Sequence, residues 1–226
     1  MKLANLKAIA WDLDGTLLDS FYVFEKSLAD ALVGHRLSMP SKDKIAANFH
    51  GSLSETLKNI LGLDDDQQLA LVIEDFLREQ DKYYLNNVDS HLFTDAIKLA
   101  QSAASKGLLQ IIVSNRPSKA GKNASPEGVV AATVLADFIN EVRAGDQFEY
   151  RKPDIRIISD WLDKHSIHPD ELVVIGDQDV DAQLAINLGC RAILIKRHNK
   201  IKLKTSLHGS DDKIEVVESL DEIEII

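Results

Sequence analysis

The sequence predicts an α/β fold: a Rossmann-like parallel sheet flanked by helices, with an α-helical domain inserted after the first strand. Three observations predict it. Short apolar runs recur and break abruptly into polar residues, as strands buried on both faces do. Stretches with helical apolar spacing lie between those runs, which is the signature of parallel βαβ units. One long region, about residues 20–87, shows helical spacing and no convincing strand.

In order, the first strand is Ala8-Ile9-Ala10-Trp11, which breaks at Asp12-Leu13-Asp14-Gly15-Thr16. The helical region follows. Phe21, Phe24, Leu28, Ala31 and Leu32 share one face, and Ile45 and Phe49 another. Leu53, Leu57, Ile60 and Leu61 come next, then Leu69, Val72, Ile73, Phe76, Leu77 and Tyr84. Ala96, Ile97, Leu99, Ala100 and Ala103 mark a helix that stops before Gly107. Residues 108–113 form a strand that ends at Ser114-Asn115, and 129–135 a helix. A weaker strand signal covers 138–142, and a helix covers 155–162. The strand over 172–175 ends at Gly176-Asp177, followed by a helix over 182–188. The strand over 192–195 ends at Lys196-Arg197, and 214–217 is a last, edge strand. Lys196 to Asp212 reads as a solvated surface loop. In such sheets, ligands bind outside the C-terminal ends of the strands. The expected division is a core of 1–18 and 90–226 with a helical domain over 19–89.

The chain has 226 residues, enough to bury a real core. Lys and Arg number 26 against 36 Asp and Glu, a formal charge of −10. That balance excludes a general nucleic-acid binder, which needs excess basic residues for the phosphate backbone. It leaves room for an anionic ligand at a locally positive site. Cys190 is the only cysteine, so no intramolecular disulfide forms. Its place at the entry to a strand suits a small buried residue better than a nucleophile. The first residues lack a long apolar run, and no stretch approaches the roughly 20 apolar residues a membrane helix needs. The expectation is a cytoplasmic protein with no membrane partner, a monomer or homodimer.

Four polar clusters sit at strand ends or helix starts. Asp12 and Asp14 are two residues apart after a buried strand. Two such carboxylates bind a divalent cation or divide nucleophile and acid/base roles; an Asp-rich turn explains the same letters. Asp177, Asp179 and Asp181 follow another strand end. Asp177 suits a helix N-cap, and its neighbours suit the helix dipole. Capping does not explain so many acids near Asp12, since clustered carboxylates repel unless a cation or lysine holds them. Hard oxygen ligands point to Mg²⁺. Ser114 offers a hydroxyl for a phosphoryl oxygen, or is an ordinary loop serine. Lys152, before Pro153 and a helix start, is an ammonium for phosphate or a surface lysine.

Taken in order, Asp-x-Asp-Gly-Thr, a strand ending in Ser, Lys-Pro, and strand-Gly-Asp-x-x-x-Asp resemble the four motifs of the haloacid dehalogenase-like hydrolase superfamily. The resemblance covers almost the whole chain, and Asp12 to Ser20 is its most specific part. The helical insertion resembles the α-helical cap of the phosphoglycolate phosphatase and β-phosphoglucomutase branch. The segment His50-Gly51-Ser52-Leu53-Ser54-Glu55 resembles the part of that cap that faces substrate.

The resemblance implies a Mg²⁺-dependent phosphatase acting on a small phosphorylated metabolite. Asp12 is then the nucleophile that becomes an aspartyl-phosphate, and Asp14 the acid/base. Ser114 and Lys152 hold the transferring phosphoryl group. The implied Mg²⁺ ligands are the Asp12 side chain, the Asp14 backbone carbonyl and Asp177, with Asp181 acting through water or orienting Lys152. Asp179 falls off the matching spacing. Gly15 and Asn115 offer backbone N–H groups to phosphate, Thr16 braces the nucleophile loop, and His50, Ser54 and Arg116 are candidate substrate contacts. Dehalogenases lack the partner at the Asp14 position, so its presence implies phosphate-ester chemistry. The alternatives are a phosphomutase using the same aspartyl-phosphate and a non-catalytic phosphate-binding protein. One departure stands out: residues 116–126 are more polar and more broken than the helix that usually follows the second motif. They read as a loop whose cations reach a second anionic group, or as a surface turn.

Overall fold

The computed structural model describes residues 1–49, 53–197 and 213–226. In chain order, β1 (Lys2–Leu3) and β2 (Ala8–Trp11) precede four helices, α1 (Ser20–Leu32), α2 (Lys42–Asn48), α3 (Leu53–Leu61) and α4 (Asp66–Asn87). Next come α5 (Thr94–Ser105), β3 (Leu109–Ser114), α6 (Pro126–Ala131), β4 (Glu141–Ala144) and α7 (Ser159–His165). The chain continues through β5 (Leu172–Gly176), α8 (Asp179–Leu188), β6 (Arg191–Ile195), β7 (Ile214–Val217) and β8 (Glu224–Ile225).

Six of these strands form one parallel sheet in the order β4-β3-β2-β5-β6-β7. Successive strand residues point to opposite faces, so each strand feeds two cores. Ile9, Trp11, Ile112, Val173, Ile175, Ile193 and Ile195 pack on one side with Ala96, Leu99, Ala100 and Ala103 of α5. Ala8, Ala10, Ile111, Val113, Leu172, Val174 and Ala192 pack on the other with α7 and α8, through Trp161, Leu162, Leu184 and Ala185. This two-sided burial is why the strands read as continuous apolar runs. The one buried amide in β3 is satisfied: Gln110 Oε1 accepts from Trp11 Nε1 at 2.9 Å, and its Nε2 donates to Ala100 O at 3.0 Å.

The helices after β2 bury a third cluster of their own, from Phe24 and Leu28 through Ile45, Leu57 and Ile60 to Val72 and Phe76. The far end of α4 leaves that cluster. Tyr84 and Val88 pack instead with Leu13, Leu17 and Leu18 in the main core. No helix among the described residues is long and apolar enough to cross a membrane.

Several boundaries differ from expectation. The expected strand over 138–142 starts later, because Phe138 and Ile139 pack against the core after a 3₁₀ turn at Val134–Asp137. Pairing starts only where Glu141 meets Ile111. The helix expected over 129–135 is α6, set earlier by the Ser125 cap and Pro126 at its first turn. Thr133 ends it, donating to Val129 O at 2.8 Å and capping the next turn. The helix expected over 155–162 splits into a 3₁₀ turn at Ile155–Ile157 and α7. The parallel pair β1–β8 was not anticipated, since two-residue strands carry no pattern. Cys190 is buried, and that burial pushes its thiol up to about 12, in line with the non-nucleophilic reading.

Candidate active site

The register of the sheet brings the motifs together. Trp11 lies level with Ile112 of β3 on one side and Ile175 of β5 on the other. The residues just beyond, Asp12, Ser114 and Asp177, therefore emerge at one edge, where strand order reverses. Asp12 N donates to Ile175 O at 2.8 Å, continuing the pairing into the site. The loop after Asp12 is held by its own apolar residues. Leu13, Leu17 and Leu18 are fully buried, and Leu17 N and Leu18 N both donate to Leu13 O. Thr16 Oγ1 donates to Asp12 Oδ2 at 3.3 Å, tying the loop back to its first residue.

Lys152 is the hub. Its Nζ donates to Asp12 Oδ1 at 2.6 Å and to Asp181 Oδ1 at 2.7 Å, and all three groups are buried. Its backbone is gripped by Asn115, whose Oδ1 accepts from Lys152 N at 3.0 Å and whose Nδ2 donates to Lys152 O at 3.3 Å. Pro153 does not open a helix; the turn after it begins at Ile155 and is capped by Asp154. Asp181 Oδ2 accepts from Gln178 N at 3.1 Å, so Asp181 links Lys152 to the start of α8. Gln178, not Asp177, is the N-cap of α8. Asp177 is thereby left pointing at the cluster.

Carboxylate oxygens of Asp12, Asp177 and Asp181 lie within 4.8 Å of one another. Asp177 Oδ1 is buried and has no hydrogen-bond partner among the described residues. Three carboxylates face one ammonium, an excess of two negative charges when all three are ionised. An all-oxygen set with that excess suits a hard divalent cation. Electrostatics agree. Burial, with Asp181 and Asp14 adding to it against the pull of Lys152, pushes the Asp12 carboxyl up to about 7. Burial and the neighbouring Asp12 and Asp181 raise Asp177 well above its ordinary value. Burial works against the Lys152 charge, but Asp12 and Asp181 outweigh it and hold the ammonium above its ordinary value.

Two glycines are dictated by close approach. Gly15 has φ +81°, and a Cβ there would sit 2.2 Å from Asp177 Oδ2. A Cβ on Gly176 would lie 2.3 Å from the Asp181 carboxyl. The backbone runs against the carboxylates, with no room for a side chain.

Asp14 turns away from this cluster. Its carboxylate receives Arg116, with Nε on Oδ2 at 3.0 Å and Nη2 on Oδ1. Arg116 also donates to Ala124 O at 2.9 Å and to the Tyr84 hydroxyl at 2.8 Å. Ser114 is buried at the end of β3, and its Oγ accepts from Arg116 N at 3.1 Å. His50 lies outside the described residues. Ser54 is exposed in the first turn of α3.

Sequence reasoning missed Tyr84, which read as one more apolar-face aromatic, and Arg197, which read as the start of a solvated basic loop. Arg197 is instead mostly buried. It forms a double contact with Asp95 at 2.8 and 2.9 Å, stacks on Phe93 and donates to Thr16 O at 3.3 Å. Its position just past the end of β6, beside the strand-end motifs, was the signal available.

Comparison with known proteins gives the same frame. A phosphoglycolate phosphatase of Vibrio vulnificus is 28% identical over 200 residues, spanning 84% of this chain and 83% of that protein. The structure of a predicted phosphoglycolate phosphatase from Haemophilus somnus superposes with a TM-score of 0.75 at 17% identity, covering 96% of each chain. CbbY from Rhodobacter sphaeroides, solved with xylulose-(1,5)bisphosphate, gives 0.74 at 14% identity, covering 98% of this chain and 97% of its own. The family profile described as haloacid dehalogenase-like hydrolase matches residues 9–195, from the strand that delivers Asp12 to the one that ends beside Arg197. With the motifs gathered at one sheet edge, this chain belongs to the haloacid dehalogenase-like hydrolase family.

Proposed function

We propose that this protein is a Mg²⁺-dependent phosphatase that hydrolyses a small phosphorylated metabolite through an aspartyl-phosphate on Asp12. The observation that carries the reading is the Asp12–Lys152–Asp181 contact beside an oxygen of Asp177 that has no partner among the described residues. It supplies a carboxylate held in place by a cation, next to donors for a second cation.

Asp12 attacks phosphorus. The leaving alkoxide takes a proton from Asp14, which then takes one from the water that opens the aspartyl-phosphate. Ser114 Oγ accepts from Arg116 N, which leaves its own hydrogen for a phosphoryl oxygen. Lys152 holds another phosphoryl oxygen while keeping Asp12 in line. Asp12, the Asp14 carbonyl and Asp177 would hold Mg²⁺, which would neutralise charge between phosphate and carboxylates. Residues 19–89 act as a cap over a core of 1–18 and 90–226. A covered site favours a small ester over a phosphoprotein.

The relatives' names make 2-phosphoglycolate the first substrate to try, within a screen of phosphorylated metabolites that reads phosphate release. Asp12→Asn should lower kcat by at least about 10³-fold, and a chelator should abolish activity that Mg²⁺ restores. Near-wild-type turnover by Asp12→Asn would remove the nucleophile assignment. Activity that requires a sugar bisphosphate and releases no phosphate would mark a phosphomutase instead.

A further inference from the structure

The 116–125 loop, which departs from the family pattern, is not a free surface turn: it is built onto α4. Asp81 Oδ1 accepts from Asn123 N at 2.6 Å and Ala124 N at 3.1 Å, and its Oδ2 accepts from Asn123 Nδ2 at 2.9 Å. Gly121 passes so close, at φ +129°, that a Cβ there would sit 2.6 Å from Asp81 Oδ1. The Ala124 carbonyl, fixed by this anchor, accepts from Arg116 Nη1 at 2.9 Å. Three residues along α4, and so on the same helix face, fully buried Tyr84 accepts from Arg116 Nη2 at 2.8 Å. Arg116 in turn takes the Asp14 carboxylate with two of its nitrogens. A guanidinium held on two sides, by the Ala124 carbonyl and the Tyr84 hydroxyl, is a planar fork with little freedom, and a carboxylate seated in it inherits that direction.

We propose that Asp81 and Tyr84 are positioning residues for Asp14. Through the loop and Arg116 they aim the acid/base carboxylate, and thereby tie its aim to the seating of α4 against the core. The inference rests on the phosphatase reading above. The competing view is that Asp81 only staples a loop for stability. The two differ in which substrates suffer. Breaking a phosphate ester of an aliphatic alcohol releases an alkoxide, which needs a proton as the P–O bond breaks. p-Nitrophenyl phosphate releases a stabilised phenolate that leaves without one. Asp14 also takes a proton from the water that opens the aspartyl-phosphate, a step shared by every ester, so the comparison is made on kcat/KM, which covers only the steps through leaving-group release. On that measure, misaiming Asp14 harms the alkyl ester selectively, whereas loosening the fold harms both.

The test uses the full chain with Mg²⁺ and compares wild type, Asp81→Ala and Tyr84→Phe. Each is assayed on p-nitrophenyl phosphate and on the alkyl phosphate that wild type turns over fastest, starting from 2-phosphoglycolate. Tyr84→Phe keeps the buried ring, so it guards against an Asp81→Ala chain that fails to fold. The expected result is a fall in kcat/KM of about 10- to 100-fold on the alkyl ester, the size of a 1 Å misplacement, with less than about 3-fold change in kcat/KM on p-nitrophenyl phosphate. Equal losses on both esters, no loss, or a gain would overturn the positioning role while leaving the phosphatase reading intact. Wild-type activity on p-nitrophenyl phosphate alone would also overturn it, since no leaving-group proton would then be delivered. Wild type inert on every ester would remove the phosphatase reading, and the positioning role with it.

Discussion

Two carboxylate–cation corners lie two residues apart in sequence and are built in opposite ways. Asp12 meets Lys152 and Asp181 in a buried knot: Asp12 follows β2, Asp181 lies in the first turn of α8, and Lys152, on a loop, is pinned by Asn115 just past β3. Asp14 meets Arg116 in a more open corner, hung from a loop and from the last turns of α4. The first corner is carried by the sheet, which cannot shift without breaking two cores. The second is carried by contacts between the sheet and the inserted helices. A rigid corner suits the atom proposed to form a bond to phosphorus; a corner tied to the helices suits a group proposed to act only when the site is assembled.

The comparison breaks most severely at Lys152. Lys152→Met should leave buried Asp12 and Asp181 and half-buried Asp177 with no cation among them. Removing one partner of a buried ion pair costs about 3–5 kcal/mol, and urea denaturation of the metal-free protein measures it. Arg116→Met should cost less, about 1.5–3 kcal/mol for lost charged hydrogen bonds, because Asp14 keeps access to water. Equal losses would mean that the two corners are not built differently.

Next in size is the response to pH and cation. Folding raises Asp12 to about 7 and raises Asp177 as well. The folded state then binds more protons than the unfolded state above the ordinary carboxylate range near 3.8, so these groups' contribution to stability is lost as pH rises through about 7. A cation that binds only ionised carboxylates restores it. Calorimetry of metal-free protein should show Mg²⁺ raising Tm clearly at pH 8 and little at pH 5. Equal shifts at both pH values would place the cation elsewhere.

A smaller change sharpens the same point. Gly15→Ala forces a Cβ into a left-handed position against Asp177. The backbone alone costs roughly 1–2 kcal/mol, and the displaced carboxylate should weaken Mg²⁺ binding, read by isothermal titration. Unchanged affinity would show that Asp177 is free to move.

The rigid corner was legible in sequence and the other was not, for a physical reason. Ala8 to Trp11 and Leu172 to Ile175 read as strands because both faces are buried, and an abrupt change to Asp or Gly-Asp marks where the sheet edge meets solvent. Local pattern therefore locates Asp12 and Asp177. The Asp14 corner depends on Asp81 and Asn123, which are 42 residues apart, and on Tyr84 and Arg116, 32 apart. Tyr84 carries an apolar ring at helical spacing, so its hydroxyl is invisible to periodicity. Arg197 shares the difficulty: its partner Asp95 is 102 residues away, and an arginine before a polar stretch reads as solvated.

Asn115 is the point where the two corners touch, and it sets the smallest expected effect. It follows Ser114 and precedes Arg116, yet its side chain grips the backbone of Lys152 on both sides. Sequence reasoning gave it a backbone N–H for phosphate; its side-chain amide, a different group, serves the rigid corner. Asn115→Ala removes two hydrogen bonds on a partly exposed loop, so about 1 kcal/mol of stability is at stake. Lys152 still has Asp12 and Asp181 to hold its ammonium, so its head should drift by little. kcat on any phosphate ester should then fall only modestly, with the alkyl and nitrophenyl esters affected alike, because the nucleophile's support has changed and the aim of Asp14 has not. A fall confined to the alkyl ester would mean that Asn115 acts on Arg116, its chain neighbour, and that the two corners are one mechanical unit.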